Sequence, residues 1–196
     1  AGSATGSLLP TGHALDVVDG VELTCIDNGM PVVVLRARDL GVTGYESPQE
    51  LEKNQPLKAR IESIRLKIGP QMKLGDVTKK VVPKMCLIAP ARAGGHVCTR
   101  MFIPHDVHTA IGVLGAVSAA TACILPGSVA GGIATVPDGR VKQMSVEHPS
   151  GEFSVTLEVG GTREQPTVLK AGLLRTARLI MRGEVLVPAA VWDGKR

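Results

Sequence analysis

The stretch from His108 to Leu125, HTAIGVLGAVSAATACIL, constrains the fold more than any other part of the chain. It is rich in alanine and glycine and apolar almost all the way round, the pattern of a helix surrounded by protein rather than lying on a surface. Its most apolar part, Ala110 to Leu125, stops at Pro126-Gly127. That is short of the roughly 18 residues a membrane span needs, so no membrane partner is expected.

Around this helix the chain reads as short β-type units. VELTCIDNGMPVVVL, from Val21 to Leu35, forms two strands about an Asp27-Asn28-Gly29 turn. Val81 to Ala89 and His96 to Ile103 form a hairpin turning at Pro90 to Gly95. Further units are expected at Ser128 to Val136, Val141 to His148, Phe153 to Val159, Thr167 to Leu173 and Thr176 to Val187. A helical excursion over 47–76 interrupts them. Ser47-Pro48-Gln49-Glu50 is a helix start with a capping residue, proline at the first position and Glu50 at the third. A second helix begins near Asn54-Gln55-Pro56, with Leu57, Ile61, Ile64 and Ile68 on one face and Lys58, Arg60, Glu62 and Arg65 on the other. Gly69-Pro70 should kink or end it. The pattern as a whole is α+β, antiparallel strands wrapped around a central helix.

Composition removes several function classes. Aromatic residues are 2% of the chain, too few for the stacking platforms of single-stranded nucleic-acid binders. The net charge of +4 comes from 22 basic and 18 acidic residues mixed along the chain, so no phosphate-binding stripe forms and no nucleic-acid partner is expected. Cys25, Cys86, Cys98 and Cys123 are too far apart for a metal knuckle and read as buried thiols. No export signal is evident, which makes a cytoplasmic setting the expectation.

The residues that could carry chemistry gather before the apolar helix. Arg100 precedes the strand end Met101-Phe102-Ile103 and is a candidate carboxylate clamp, with a solvated strand-edge arginine as the plain alternative. His105, Asp106, His108 and Thr109 crowd the approach to the helix, whose amides would attract an anion unless Asp106 or Thr109 simply caps them. On this reading Arg100 and the helix terminus act on one ligand. His105 and His108 lack a third metal ligand nearby, so no metal is expected. Gly112 and Gly115 each cost about 1 kcal/mol in a helix, which suggests close packing or a bound ligand. Ser118 either bonds the carbonyl four residues back or faces a cleft.

Three strings carry a family resemblance: LLPTGHALDVVDGVELTCIDNGMPVVVLRARDLGVTGYESPQEL, LGDVTKKVVPKMCLIAPA and MFIPHDVHTAIGVLGAVSAATACILPGSVA. Over roughly residues 5 to 135 the chain resembles the C-terminal half of the PrpF-like isomerases, which have the diaminopimelate-epimerase fold. The TGYE segment and the Met-Pro after the turn look most like members that tautomerise 4-oxalomesaconate in aromatic-acid breakdown. The resemblance implies a cofactor-independent isomerase domain that moves a proton along an unsaturated di- or tricarboxylate. A 2-methylaconitate-type cis-trans isomerase and a non-catalytic carboxylate-binding module are the alternatives. Family members are about twice this length, so the resemblance implies residues 1–20 as an interdomain segment, 21–183 as the C-terminal epimerase-like domain with the 47–76 insertion, and 184–196 as a strand and tail returning to a missing N-terminal domain. The family's proton-transfer lysine and cysteine belong to that other domain. No catalytic residue is therefore carried over, and the chain alone is expected to be inactive. Arg100, His108, Thr109, Gly112, Gly115, Ser118 and Asn28 are the implied substrate-binding set for a small polycarboxylate. Ser118 stands where many relatives have cysteine. An apolar face left without its partner domain favours self-association, so a homo-oligomer is a further expectation.

Overall fold

A computed structural model describes every residue except Arg163, Glu164, Arg175, Thr176, Asp193, Lys195 and Arg196. The strands are β1 (Asp16–Val18), β2 (Val21–Asp27), β3 (Pro31–Arg36), β4 (Lys84–Ala89), β5 (Val97–Ile103), β6 (Asp106–Val107), β7 (Val141–His148), β8 (Gly151–Gly161) and β9 (Pro166–Leu173). The helices are α1 (Pro48–Lys53), α2 (Gln55–Gln71) and α3 (Val113–Ile124), with a 3-10 turn at Ala37–Leu40.

All the strands join one sheet in the order β1-β2-β3-β4-β5-β7-β8-β9, with β6 pairing on β5. The sheet is mixed, which corrects the antiparallel expectation. β3 pairs parallel to β4 and β5 pairs parallel to β7. Both parallel pairs flank the long excursions of the chain, and only a crossover of that length brings a strand back pointing the same way. Tight turns give antiparallel neighbours everywhere else.

The two crossovers cover opposite faces. Val33, Leu35, Met85, Leu87 and Phe102 pack with Leu57, Ile61, Ile64 and Ile68 of α2. Val32, Val34, Cys86, Ile88, Val97 and Met101 pack with α3. Since alternate strand residues feed different cores, β3 and β4 read as unbroken apolar runs. α3 is buried from Gly115 to Ile124 and touches β2 and β3 as well as β7, β8 and β9, so the sheet curves over it. The helical excursion expected over 47–76 supplies α2, which covers the face of the sheet opposite α3.

Local signals set several of these elements. Ser47 and Glu50 form a reciprocal capping box at α1, and the Asn54 side chain caps α2. α2 runs one residue past Pro70 and ends at Gln71. Arg65 departs from its expected outer position. It is fully buried and donates to the carbonyls of Val77, Lys80 and Val82 at 2.9, 3.2 and 3.1 Å and to both oxygens of Glu62 at 2.7 Å. It ties α2 to the segment leading into β4.

Residues 1–20 are built into the domain. β1 pairs with β2, and the buried carboxylate of Asp27 accepts from Ser3 Oγ at 2.9 Å, the amides of Ala4 and Thr5 at 2.9 and 3.0 Å, and Thr5 Oγ1 at 2.9 Å. Burial pushes the Asp27 carboxyl up, but these donors outweigh it and hold it below the usual range.

Two expected strands do not form. Residues 128–133 make turns that carry the chain across the C-terminal end of α3. In the expected 176–187 unit Thr176 lies outside the described residues, and 177–187 have no regular structure. Leu179, Ile180, Met181, Val185 and Leu186 are exposed there, and an apolar alternation without a neighbouring strand has nothing to pair with. Among the described residues no helix is long and apolar enough to cross a membrane.

Candidate functional site

β4, β5 and the start of α3 enclose a pocket of about 250 Å³ whose lining includes Met30, Lys84, Met101, His108, Gly112 and Gly115. β5 ends at Ile103, β6 folds back on it, and the His108 amide donates to the Met101 carbonyl at 2.8 Å. The Ala110 amide donates to His108 Nδ1 at 3.0 Å, which leaves Nε2 as the ring nitrogen available to a ligand. The loop then enters α3 at Gly112, whose extended backbone (φ −67°, ψ 144°) marks the helix boundary with no side-chain cap. The first intrahelical bond runs from the Ala116 amide to the Gly112 carbonyl, and among the described residues the amides of Val113, Leu114 and Gly115 have no acceptor.

The helix therefore starts four to five residues later than its composition suggested. His105, Asp106 and Thr109 are exposed in the approach and do not line the pocket, which removes Thr109 from the set gathered there. The two glycines differ. A Cβ at Gly115 would lie 3.0 Å from Met101 Cε, whereas one at Gly112 would meet nothing within 4 Å. Gly115 is a packing glycine and Gly112 faces open space.

The turn between β2 and β3 forms one wall. Gly29 has φ +95°, a left-handed conformation suited to glycine, and sits against Leu114 at the start of α3. Ser118 Oγ donates to the Met30 carbonyl at 2.7 Å and accepts the Asn28 amide at 3.2 Å. Asn28 Nδ2 donates to Thr121 Oγ1 at 2.9 Å, and that hydroxyl donates to the Val117 carbonyl at 2.7 Å. Ser118 is fully buried and is absent from the pocket wall. Asn28 and Ser118, both in the expected substrate-binding set, sew the turn to α3 and so set the position of Met30. The back-bond expected of Ser118 is made by Thr121.

Arg100 lies on the other face of the sheet. Val97 and Met101 belong to the α3 core, and alternation directs Arg100 with Phe102 toward the α2 side. Its Nε donates to the Glu46 carbonyl at 2.6 Å, and Nη1 donates to the Thr99 carbonyl at 2.8 Å and to Cys98 Sγ at 3.4 Å. The guanidinium holds the end of the Thr43–Glu46 loop and does not line the pocket at the start of α3. Glu147 has a comparable role nearby, accepting the amides of Arg92, Ala93 and Gly95 at 2.8, 2.6 and 2.8 Å. Burial raises its carboxyl, and these amides more than reverse the effect.

The residue missed in the sequence is Lys84. It opens β4 two residues before Cys86 and four before Ile88, and period-2 alternation places it with them on the α3 face. It lines the pocket, and burial lowers the pKa of its ammonium. The signal was available as a lysine at an inward position of the apolar run KMCLIA.

A larger hollow of about 870 Å³ lies at the far end of α3, between Leu125, Pro137, Arg140, Lys142 and Gly160. Its cations are already engaged, Arg140 with Glu158 at 3.1 Å and Lys142 with the Pro137 carbonyl at 2.6 Å. All four cysteines are free and buried, and burial pushes Cys123 up to about 12. Among the described residues no group of three or more His, Cys, Asp and Glu side chains is placed to hold a metal ion.

Fold and pocket together define an α+β domain of mixed sheet, with helices on both faces and a helix start and a lysine that line one pocket. The PrpF protein family matches residues 1–188, and the chain belongs to that family. It is 58% identical over 187 residues to (4E)-oxalomesaconate Delta-isomerase of a Novosphingobium species, covering 95% of this chain and 52% of the relative. It is 54% identical over 194 residues to 4-oxalomesaconate tautomerase of Pseudomonas putida, covering 99% of this chain and 53% of the relative. The chain thus spans about half the length of these relatives. In fold it resembles the crystal structure of a methylitaconate-delta-isomerase, with a TM-score of 0.80 at 23% identity over 94% of this chain and 52% of that one.

Proposed function

We propose that this chain is the C-terminal, substrate-binding half of a cofactor-independent isomerase that tautomerises an unsaturated polycarboxylate of the 4-oxalomesaconate type. The observation that carries the reading is the pocket at the start of α3, which Lys84 and His108 line together with the first residues of α3, whose amides have no acceptor among the described residues. Unpaired amides at a helix start carry partial positive charge and suit a carboxylate. The identity to two relatives named for oxalomesaconate supports the choice of substrate.

In such a reaction a base removes a proton from carbon next to the conjugated acid, and the proton returns at another carbon of the same system. No atom is gained or lost. The negative charge that develops between the two steps spreads onto carboxylate and enolate oxygens, and preorganised donors lower its energy. In this chain the α3 amides and His108 Nε2 would bind and orient the substrate, while the proton-transfer groups come from the remaining half of the enzyme. The relatives' greater length and the exposed apolar residues of 177–192 support a two-part cleft.

The test is turnover of 4-oxalomesaconate, followed by ultraviolet absorbance, for the chain alone and mixed with the N-terminal half of the Pseudomonas putida relative. Turnover is expected only in the mixture. A mixture without turnover, together with a chain that binds no unsaturated dicarboxylate, overturns the reading.

A further inference from the structure

Lys84 is an ammonium with no partner. Among the described residues it makes neither a hydrogen bond nor an ion pair, although other lysines of the domain find them: Lys58 pairs with Glu52, Lys67 with Asp19 and Lys80 with the Leu74 carbonyl. Lys84 stands at the inward-facing start of a strand whose other residues are buried, against a pocket wall built mainly from Met30, Met101, Ile103, Val113 and Leu114. Burial lowers the pKa of its ammonium, so the charge is partly dehydrated, and an anion in the pocket beside it would offset that loss. Neither Lys84 nor His108, the two ionisable residues lining the cavity, supplies a negative charge.

We infer that Lys84 is the charged anchor of this pocket, binding a carboxylate of the substrate and selecting for anionic unsaturated acids. The inference rests on the polycarboxylate reading above and adds to it the residue that fixes the substrate's charge. Lys84 is a binding residue here, since the ion pair it forms is present before and after the proton moves. An ammonium is a compact, mobile point charge, so a guanidinium of similar reach should preserve much of the interaction, whereas an apolar chain of the same length should not.

The experiment is calorimetric titration of the full chain with mesaconate, a small unsaturated dicarboxylate, alongside ligand-free thermal unfolding. It compares the wild type, Lys84→Met, Lys84→Arg and the exposed control Lys79→Met. Wild type and Lys79→Met should bind alike. Lys84→Met should bind about tenfold or more weakly, in line with loss of a partly buried charge-assisted contact. Lys84→Arg should recover most of the affinity. Without ligand, Lys84→Met should melt at or above the wild-type temperature, because it removes an unpaired charge from an apolar wall. Equal affinity of wild type and Lys84→Met overturns the inference and leaves the carboxylate reading standing. A marked fall in ligand-free melting temperature for Lys84→Met also overturns it, by making the lysine structural. Failure of the wild-type chain to bind mesaconate removes both.

Discussion

Replacing Ser118 by alanine tests how the β2–β3 turn is held against α3. The hydroxyl donates to the Met30 carbonyl at 2.7 Å and accepts the Asn28 amide at 3.2 Å, and Ser118 itself is fully buried. Alanine fits the space and strands both backbone groups. An unsatisfied buried group costs about 1–3 kcal/mol. The Asn28 amide belongs to a residue with 9% exposure and recovers part of its share from water, so the pair should cost about 2–4 kcal/mol. In a domain of this size 1 kcal/mol moves the melting temperature by about 2–4 °C, which gives a fall of roughly 4–16 °C. Ser118→Cys should lie between the two, since a thiol is a weak donor and a weak acceptor. Urea unfolding gives the free energy and calorimetry the midpoint. Because Met30 is both bonded to Ser118 and part of the pocket wall, mesaconate affinity should fall together with stability. A stability within about 0.5 kcal/mol of wild type, the range of an ordinary surface change, would refute the account of the turn.

Further outcomes follow from the same contacts. Asp27 has a carboxyl pKa held below its unfolded value of about 3.9. Its stabilising contribution is therefore complete above that unfolded value and lost as pH falls through the folded one. Urea midpoints measured from neutral to acid pH should drop on the acid limb in wild type and less steeply in Asp27→Asn; parallel limbs would contradict the four-donor clamp. Arg100→Lys keeps the charge but loses the fork that bonds the Glu46 and Thr99 carbonyls. It should lower the melting temperature and leave mesaconate affinity unchanged, and an affinity loss with unchanged stability would return Arg100 to the binding site.

The chain's own order fixed what depends on neighbours within a few residues. The Ser47–Glu50 box starts α1, the 57/61/64/68 stripe faces α2 inward, the Asp27-Asn28-Gly29 turn joins two strands, and small residues let α3 sink into the core. These follow from short-range periodicity and capping. Even the face of Arg100 was available in this way, since period-2 alternation separates it from Met101. Tertiary structure decided what depends on groups far apart in sequence. Two long crossovers made parallel pairs in a sheet read as antiparallel. Arg65 was drawn inward because carbonyls from 77–82 arrived to receive it. Ser118 became a clamp because the turn 88 residues earlier came to rest on it. Lys84 lines one pocket with the start of α3 because β4 and α3, separated by a strand hairpin, close it from two sides. A hydrogen-bonding group's role is set by which partner reaches it, and only the assembled chain determines that.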